Sequence, residues 1–362
     1  MPTIKFLASK SLASFATLCV SLTCGALLIC TGSHVSAAAP TAWPVPDWAT
    51  ATPESQGLSA DGVDKVRQWL QDNGSKTGLL VRHGRIVGEW YFDGAQASSQ
   101  YLVYSTSKSV ASTAAGLAIA KGKISLDTKV GELLPDVSPA EKREITVRQL
   151  LSMASGVHND PKLGEMAERF TYALTKAPMD HAPGTKWDYN NTGLAILSPL
   201  LVKATGQQLD VWLNDQLFMP IGIKESDWSW DKNEGFTLPY SGLHITARAL
   251  ARFGLVFLNQ GKWQDRQVVP ASWVAEATGP SQDLNKSYGY LWWNNTANKW
   301  KGAPADAYAA LGRFDNNMFV IPSLDMIVIR QVGDDTGHNR KMDQSQLLRL
   351  AAESVKDGKS AQ

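Results

Sequence analysis

Apolar positions alternate with polar ones near both ends of this chain and recur at helical spacing through its middle. Ser59 precedes residues 60–72, where Val63, Val66 and Leu70 share one face, which predicts a capped amphipathic helix. Residues 78–92 read as a hairpin, with Leu79-Leu80-Val81, a turn at His83-Gly84, and Ile86-Val87 running on to Trp90-Tyr91-Phe92. Residues 109–120 are small and apolar nearly all round, with Gly122 as a stop. That pattern predicts a helix buried in the middle of a domain rather than lying on its surface. Thr146 and Gln149 form a capping box that opens a helix over 147–153, closed at Gly156. An apolar helix over 192–204 ends at Gly206, and Thr246 caps another over 247–259 before Gly261. Strand signals return only near the end, where 318–321 and 326–331 flank the turn Pro322-Ser323-Leu324-Asp325. A helix over about 345–355 finishes the pattern.

Strands at both ends with helices between them predict an α+β fold. The antiparallel sheet is built from both chain ends and flanked by helices, and the middle of the chain supplies a mainly helical lobe. The expected division is a single domain over 39–362, with a sheet lobe at about 50–122 and 288–357 and a helical lobe at about 123–287. A cleft between two such lobes is where a site is expected.

The first segment changes the picture. Lys5 and Lys10 precede a charge-free apolar stretch over 11–30, and Val35-Ser36-Ala37-Ala38-Ala39 offers small-residue cleavage sites. Residues 1–38 therefore read as a signal peptide, and the protein as exported, periplasmic or secreted. An uncleaved membrane anchor is the alternative. The chain's three cysteines, Cys19, Cys24 and Cys30, all lie inside that segment, so the mature protein must hold together through its core without disulfides. The net charge of +1, with acidic and basic residues interspersed, argues against nucleic acid or an anionic membrane surface as partner. No stable membrane association is expected after signal cleavage. The spacing of His, Cys, Asp and Glu suggests no metal site, and no cofactor is expected.

Candidate chemistry centres on Ser105-Thr106-Ser107-Lys108, just before the buried helix. A serine and a lysine three apart in a first helical turn share a face, so the amine can reach the hydroxyl. Burial lowers the lysine's pKa and lets it act as a base, while the helix N-terminus favours negative charge. Together these are the parts of an activated serine nucleophile. A second element, Pro183-Gly184-Thr185-Lys186-Trp187-Asp188-Tyr189-Asn190-Asn191, leads from a turn into the next helix. Its Tyr189 offers a phenol for proton transfer, and Asn191 an amide for a substrate carbonyl or for the lysine. Taken alone, that tyrosine reads as a residue packed on the following helix. A third element is Tyr308-Ala309-Ala310-Leu311-Gly312-Arg313, read as a glycine entering the strand over 318–321. The N–H groups of Ser105 and Arg313 are candidates for a two-donor oxyanion hole. Of the chain's 13 tryptophans, Trp187, Trp292 and Trp293, with Tyr290, are candidates for apolar substrate contacts, while most are expected in the core.

The order of these motifs resembles the serine beta-lactamase and penicillin-binding fold. Within it, the match is to the class C-like branch with its esterases, D-amino-acid peptidases and 6-aminohexanoate-dimer hydrolases. Supporting stretches lie at 145–156, 242–254 and 288–293, and the resemblance covers about 52–356. It implies Ser105 as the acylated nucleophile, Lys108 as its partner base, Tyr189 as the phenol that activates the serine or the deacylating water, and Asn191 as a supporting amide. The N–H groups of Ser105 and Arg313 take the oxyanion role. Two departures stand out. Beta-lactamases carry Lys-Thr-Gly or a close variant where this chain has Ala310-Leu311-Gly312, and Ala249 replaces an aspartate usual in relatives. The first removes the side chains that hold a beta-lactam carboxylate. The expected activity is therefore ester or amide hydrolysis through an acyl-enzyme, with a small-molecule ester, amide or peptide substrate as the expected partner, a beta-lactamase or D-alanyl peptidase as alternative and a non-catalytic binding protein as the reading of another class. His158 and His244 are further candidates for cleft contacts, and the loop carrying His338 for its border.

Overall fold

The computed structural model describes residues 42–333 and 343–356; the expected signal peptide over 1–38 and the loop residue His338 lie outside them. Its frame is a six-stranded antiparallel sheet in the order Trp293–Asn294, Tyr308–Leu311, Asn317–Ile321, Met326–Gln331, Thr77–Arg82, Arg85–Tyr91. The N-terminal hairpin joins the C-terminal strands directly, with Thr77 opposite Gln331 and Arg82 opposite Met326. Among the described residues, strands early and late in the sequence thus meet in one sheet.

Alternation along the strands divides the core in two. Leu80, Phe319, Ile321, Met326 and Val328 face one side, where helices Ala60–Asp72 and Gln344–Glu353 pack on each other. Leu79, Val81, Ala310, Met318, Val320, Ile327 and Ile329 face the other side. Helix Ala247–Leu258 covers that second face and belongs to the sheet's packing, although its place in sequence falls within the expected helical lobe. Ser59 caps the first helix by accepting from the Gly62 N–H, and Thr146 and Gln149 form the expected capping box.

Helix Thr106–Ala120 runs through the interior, buried continuously from Thr106 to Ala118. Its small residues allow close neighbours: a Cβ on Gly116 would stand 2.4 Å from the Trp273 ring. The hydroxyls of Ser109 and Ser112 donate to the carbonyls of Leu291 and Tyr290 at 2.7 and 2.6 Å, tying the segment before strand Trp293–Asn294 to this helix.

Three expectations need correction. The apolar stretch over 192–204 is two helices, Asn191–Ala195 and Leu197–Thr205, because Pro199 has no N–H to offer the Ala195 carbonyl. The middle of the chain is not free of strands. Tyr101–Leu102, Leu243–Ile245 and Trp228–Trp230 form a small sheet whose strands are too short to show alternation. Gly312 does not enter a strand but ends one, Tyr308–Leu311, which pairs with Asn317–Ile321.

Candidate active site

The chain enters the buried helix through a strained turn. Tyr104 has φ 46°, a left-handed conformation uncommon for a residue with a Cβ, and Ser105 follows as the N-cap. Ser105 is half-buried; Lys108, one turn on, is 1% exposed. Lys108 Nζ lies 2.8 Å from Ser105 Oγ and donates to the Tyr240 carbonyl, also at 2.8 Å. Burial, with no carboxylate to offset it among the described residues, pushes the amine down to about 7.

Tyr189 supplies the next wall, with Lys108 Nζ 4.8 Å from its ring centre. Burial pushes its phenol up to about 12, and the neighbouring Ser105 hydroxyl offsets part of that rise. Asn159 holds this loop from both sides, its Nδ2 donating to the Tyr189 carbonyl and its Oδ1 accepting from the Asn191 N–H, each at 3.1 Å. Asn190 caps the following helix through the Gly193 N–H. Asn191 opens the helix after this loop, and Lys108 takes the Tyr240 carbonyl rather than its amide. The Asn191 Oδ1 is buried without a partner among the described residues.

The third wall is the turn after strand Tyr308–Leu311. Gly312 lies so close to the helix start that a Cβ there would stand 2.2 Å from the Val103 carbonyl and 2.7 Å from that of Asn316. Only glycine fits, for reasons of space rather than φ. The next residue is Arg313, whose guanidinium rests over the Phe314 ring at 4.8 Å, and Phe314 meets Tyr104 edge-on at 5.4 Å. Among the described residues no acceptor takes the N–H of Ser105 or of Arg313.

Aromatic rings surround Tyr189. Trp293 stacks on it at 6.0 Å, Trp187 and Tyr288 meet it at 6.4 and 6.2 Å, and Lys299 Nζ caps the Trp293 ring at 4.1 Å. The expectation for Trp292 is not met: it is fully buried against Phe253, Phe257 and Tyr308. Neighbours on an extended chain point opposite ways, so Trp293 at the site puts Trp292 in the core. Tyr290 likewise stacks on Trp273 and accepts from Arg148. His158 and His244 lie against Asp180 and Asp231 at 3.0 and 3.3 Å rather than against these residues. A separate cavity of about 300 Å³, lined by Thr278, Asn294, Asp306 and Tyr308 among others, includes none of Ser105, Lys108 and Tyr189.

Sequence reasoning missed Tyr240, which acts through its backbone carbonyl, and Asn159, whose pairing with the tyrosine loop spans 30 residues. Neither carries a local signal. A half-buried hydroxyl touching a buried amine of lowered pKa, next to two unengaged N–H donors, is a set of parts suited to acyl transfer.

A family model described as Beta-lactamase matches residues 77–353. Penicillin-binding protein 4 of Amycolatopsis lactamdurans is 29% identical over 174 residues, 39% of this chain and 46% of that protein. The chain thus spans less than half the length of that relative. The 6-aminohexanoate-dimer hydrolase of Paenarthrobacter ureafaciens is 22% identical over 317 residues, 77% of this chain and 79% of that protein. Among solved structures, a family VIII carboxylesterase superposes with a TM-score of 0.65 at 18% identity, over 83% of this chain and 99% of that one. At that identity the likeness is one of fold.

Proposed function

The chain belongs to the beta-lactamase family of serine hydrolases, and from that premise we propose that it is an exported enzyme cleaving a small ester or amide through an acyl-enzyme on Ser105. The observation that carries this reading is the 2.8 Å approach of a fully buried lysine amine to the Ser105 hydroxyl.

At neutral pH an amine held near 7 is substantially uncharged and has a lone pair for the serine proton. Lys108 is then the general base. Tyr189, held near 12, keeps its proton and serves as relay and donor to the leaving group rather than as a resident phenolate. As Ser105 Oγ bonds to the substrate carbonyl carbon, the oxyanion settles between the N–H groups of Ser105 and Arg313. Expulsion of the alcohol or amine leaves the acyl-enzyme. Water attacks it with the same groups returning the proton to Ser105. Asn191 and Trp293 border the substrate, and the aromatic surroundings of Tyr189 favour an uncharged acyl or alkyl group.

Relatives named as a 6-aminohexanoate-dimer hydrolase and an esterase support an amide or ester as substrate. Export rests on the lysines, apolar stretch and small-residue site of the leader; among the described residues no helix is long and apolar enough to cross a membrane. The test is intact-protein mass after incubation with a fluorophosphonate and a panel of esters, amides and beta-lactams. One adduct, mapping to Ser105 and absent in Ser105→Ala, is expected. Labelling that persists in that variant overturns the assignment.

A further inference from the structure

The two segments that carry the N–H groups of Ser105 and Arg313 are far apart in sequence, yet both hydrogen-bond to a single atom. The carbonyl oxygen of Asn316 accepts from the Thr106 hydroxyl at 2.7 Å and from the Gly312 N–H at 3.0 Å. Thr106 directly follows the nucleophile and Gly312 directly precedes Arg313, so the shared acceptor lies one residue from each donor-bearing position. Thr106 and Asn316 are both 0% exposed, which keeps water from substituting for either partner.

The turn itself is held from behind. The Asn316 side chain donates to the carbonyls of Arg313 and Gly333 at 2.8 and 3.0 Å and accepts from the N–H groups of Val332 and Gly333. Arg330, in the adjacent strand, donates to the carbonyls of Phe314 and Asp315, both at 3.0 Å. Phe314 and Asp315 have φ of 61° and 60°. Such a conformation in residues with a Cβ persists only when the surroundings over-determine it. The turn is thus held by hydrogen bonds from two sides, and the Thr106 hydroxyl supplies a side-chain hydrogen bond that fastens the helix start to it.

We propose that Thr106 is a positioning residue for the hydrolysis assigned above: by donating to the Asn316 carbonyl, its hydroxyl sets the spacing between the N–H groups of Ser105 and Arg313. This rests on the acyl-enzyme reading. An oxyanion donor removed outright costs about 10²–10³ in kcat, and one left in place but displaced is expected to cost less.

Two near-isosteric variants separate the hydroxyl from the methyl. Thr106→Val keeps the shape and removes the donor; Thr106→Ser keeps the donor and removes the methyl. The expected result is a fall in kcat of about 10- to 100-fold for Thr106→Val with KM little changed, and kcat within about threefold of wild type for Thr106→Ser. Affinity for a small alkylboronic acid, which forms a tetrahedral anionic adduct on a serine, should fall in Thr106→Val in step with kcat. The reverse ranking, with valine active and serine impaired, assigns Thr106 to packing and overturns the proposal. So does a loss of kcat in Thr106→Val that leaves boronate affinity unchanged. Should Thr106→Val not fold, Thr106→Ser decides alone, a loss of kcat there counting against the hydroxyl. Ser105→Ala is run alongside: if it retains hydrolysis, the acyl-enzyme reading itself fails and the positioning role falls with it.

Discussion

Lys108 and Tyr240, 132 residues apart, are joined at 2.8 Å through the tyrosine's backbone carbonyl. A carbonyl is a neutral acceptor. It orients the amine without supplying the negative charge that would keep it protonated, and burial is left to pull the amine down to about 7.

The pH dependence follows with a definite sign. Activity, as kcat/KM, should rise through pH about 7 as Lys108 loses its proton, and Lys108→Met should lower kcat by about 10²–10⁴-fold. Stability moves through the same group. Between its folded value of about 7 and the ordinary 10.5, the unfolded chain binds a proton that the folded chain does not, so the contribution of Lys108 improves as pH rises through that window. Below about 7 the folded state carries the full cost of a buried ammonium. Lys108→Met should therefore gain in melting temperature over wild type most at about pH 6 and least toward pH 10. Melting curves of both proteins at the two ends check this, and a gain that grows with pH would contradict it.

Tyr189→Phe should lower kcat by about 10²–10⁴-fold with a smaller change in KM, since the variant removes the phenol proposed for proton transfer while the ring keeps its stacking on Trp293. Steady-state kinetics on one ester suffices. Nearly full activity in the variant would return Tyr189 to the role of a packed loop residue.

Gly312→Ala should be damaging out of proportion to one methyl. The new Cβ would meet two backbone carbonyls, of Val103 and Asn316, and neither can swing aside as a side-chain end would. The helix start and the turn must separate, so a fall in kcat of about 10²-fold or more is expected together with a lower melting temperature. A crystal structure of the variant would show the displacement directly.

How much of this was legible in sequence depends on the range over which each feature is built. The caps at Ser59, Thr146 and Thr246 involve neighbours three residues on, and they stand where the pattern put them. The terminal hairpins carry their own turn chemistry. Ser105 and Lys108 lie one turn apart, so their contact follows from helical geometry alone. What could not be read was the pairing of distant segments: the Tyr240 carbonyl on Lys108, Asn159 on the tyrosine loop, and Asn316 between Thr106 and Gly312. Backbone acceptors leave no mark on residue type. Trp292 and Trp293 were indistinguishable as letters, and only the opposite directions that neighbouring side chains take from the backbone assign one to the core and the other to the rings around Tyr189.

Substrate preference turns on what the strand leading to Gly312 can offer a carboxylate. Ala310 is fully buried in the core on one face of the sheet, and Leu311 packs against the core on the other, so neither presents a charge or a hydrogen bond. A missing charge-assisted hydrogen bond is worth about 1.5–3 kcal/mol, or roughly ten- to a hundred-fold in binding. Trp293 and Trp187, half-buried around Tyr189, instead provide apolar area. Short-chain esters or neutral amides should then be turned over with kcat/KM at least about tenfold above any penicillin or cephalosporin. Purified enzyme at one pH, with p-nitrophenyl acetate and butyrate set against nitrocefin, makes the comparison. The opposite ranking would direct attention to the two cations at the site's edge, Arg313 over Phe314 and Lys299 over Trp293. Loss of nitrocefin turnover in Arg313→Leu or in Lys299→Leu would then say which of them holds the carboxylate.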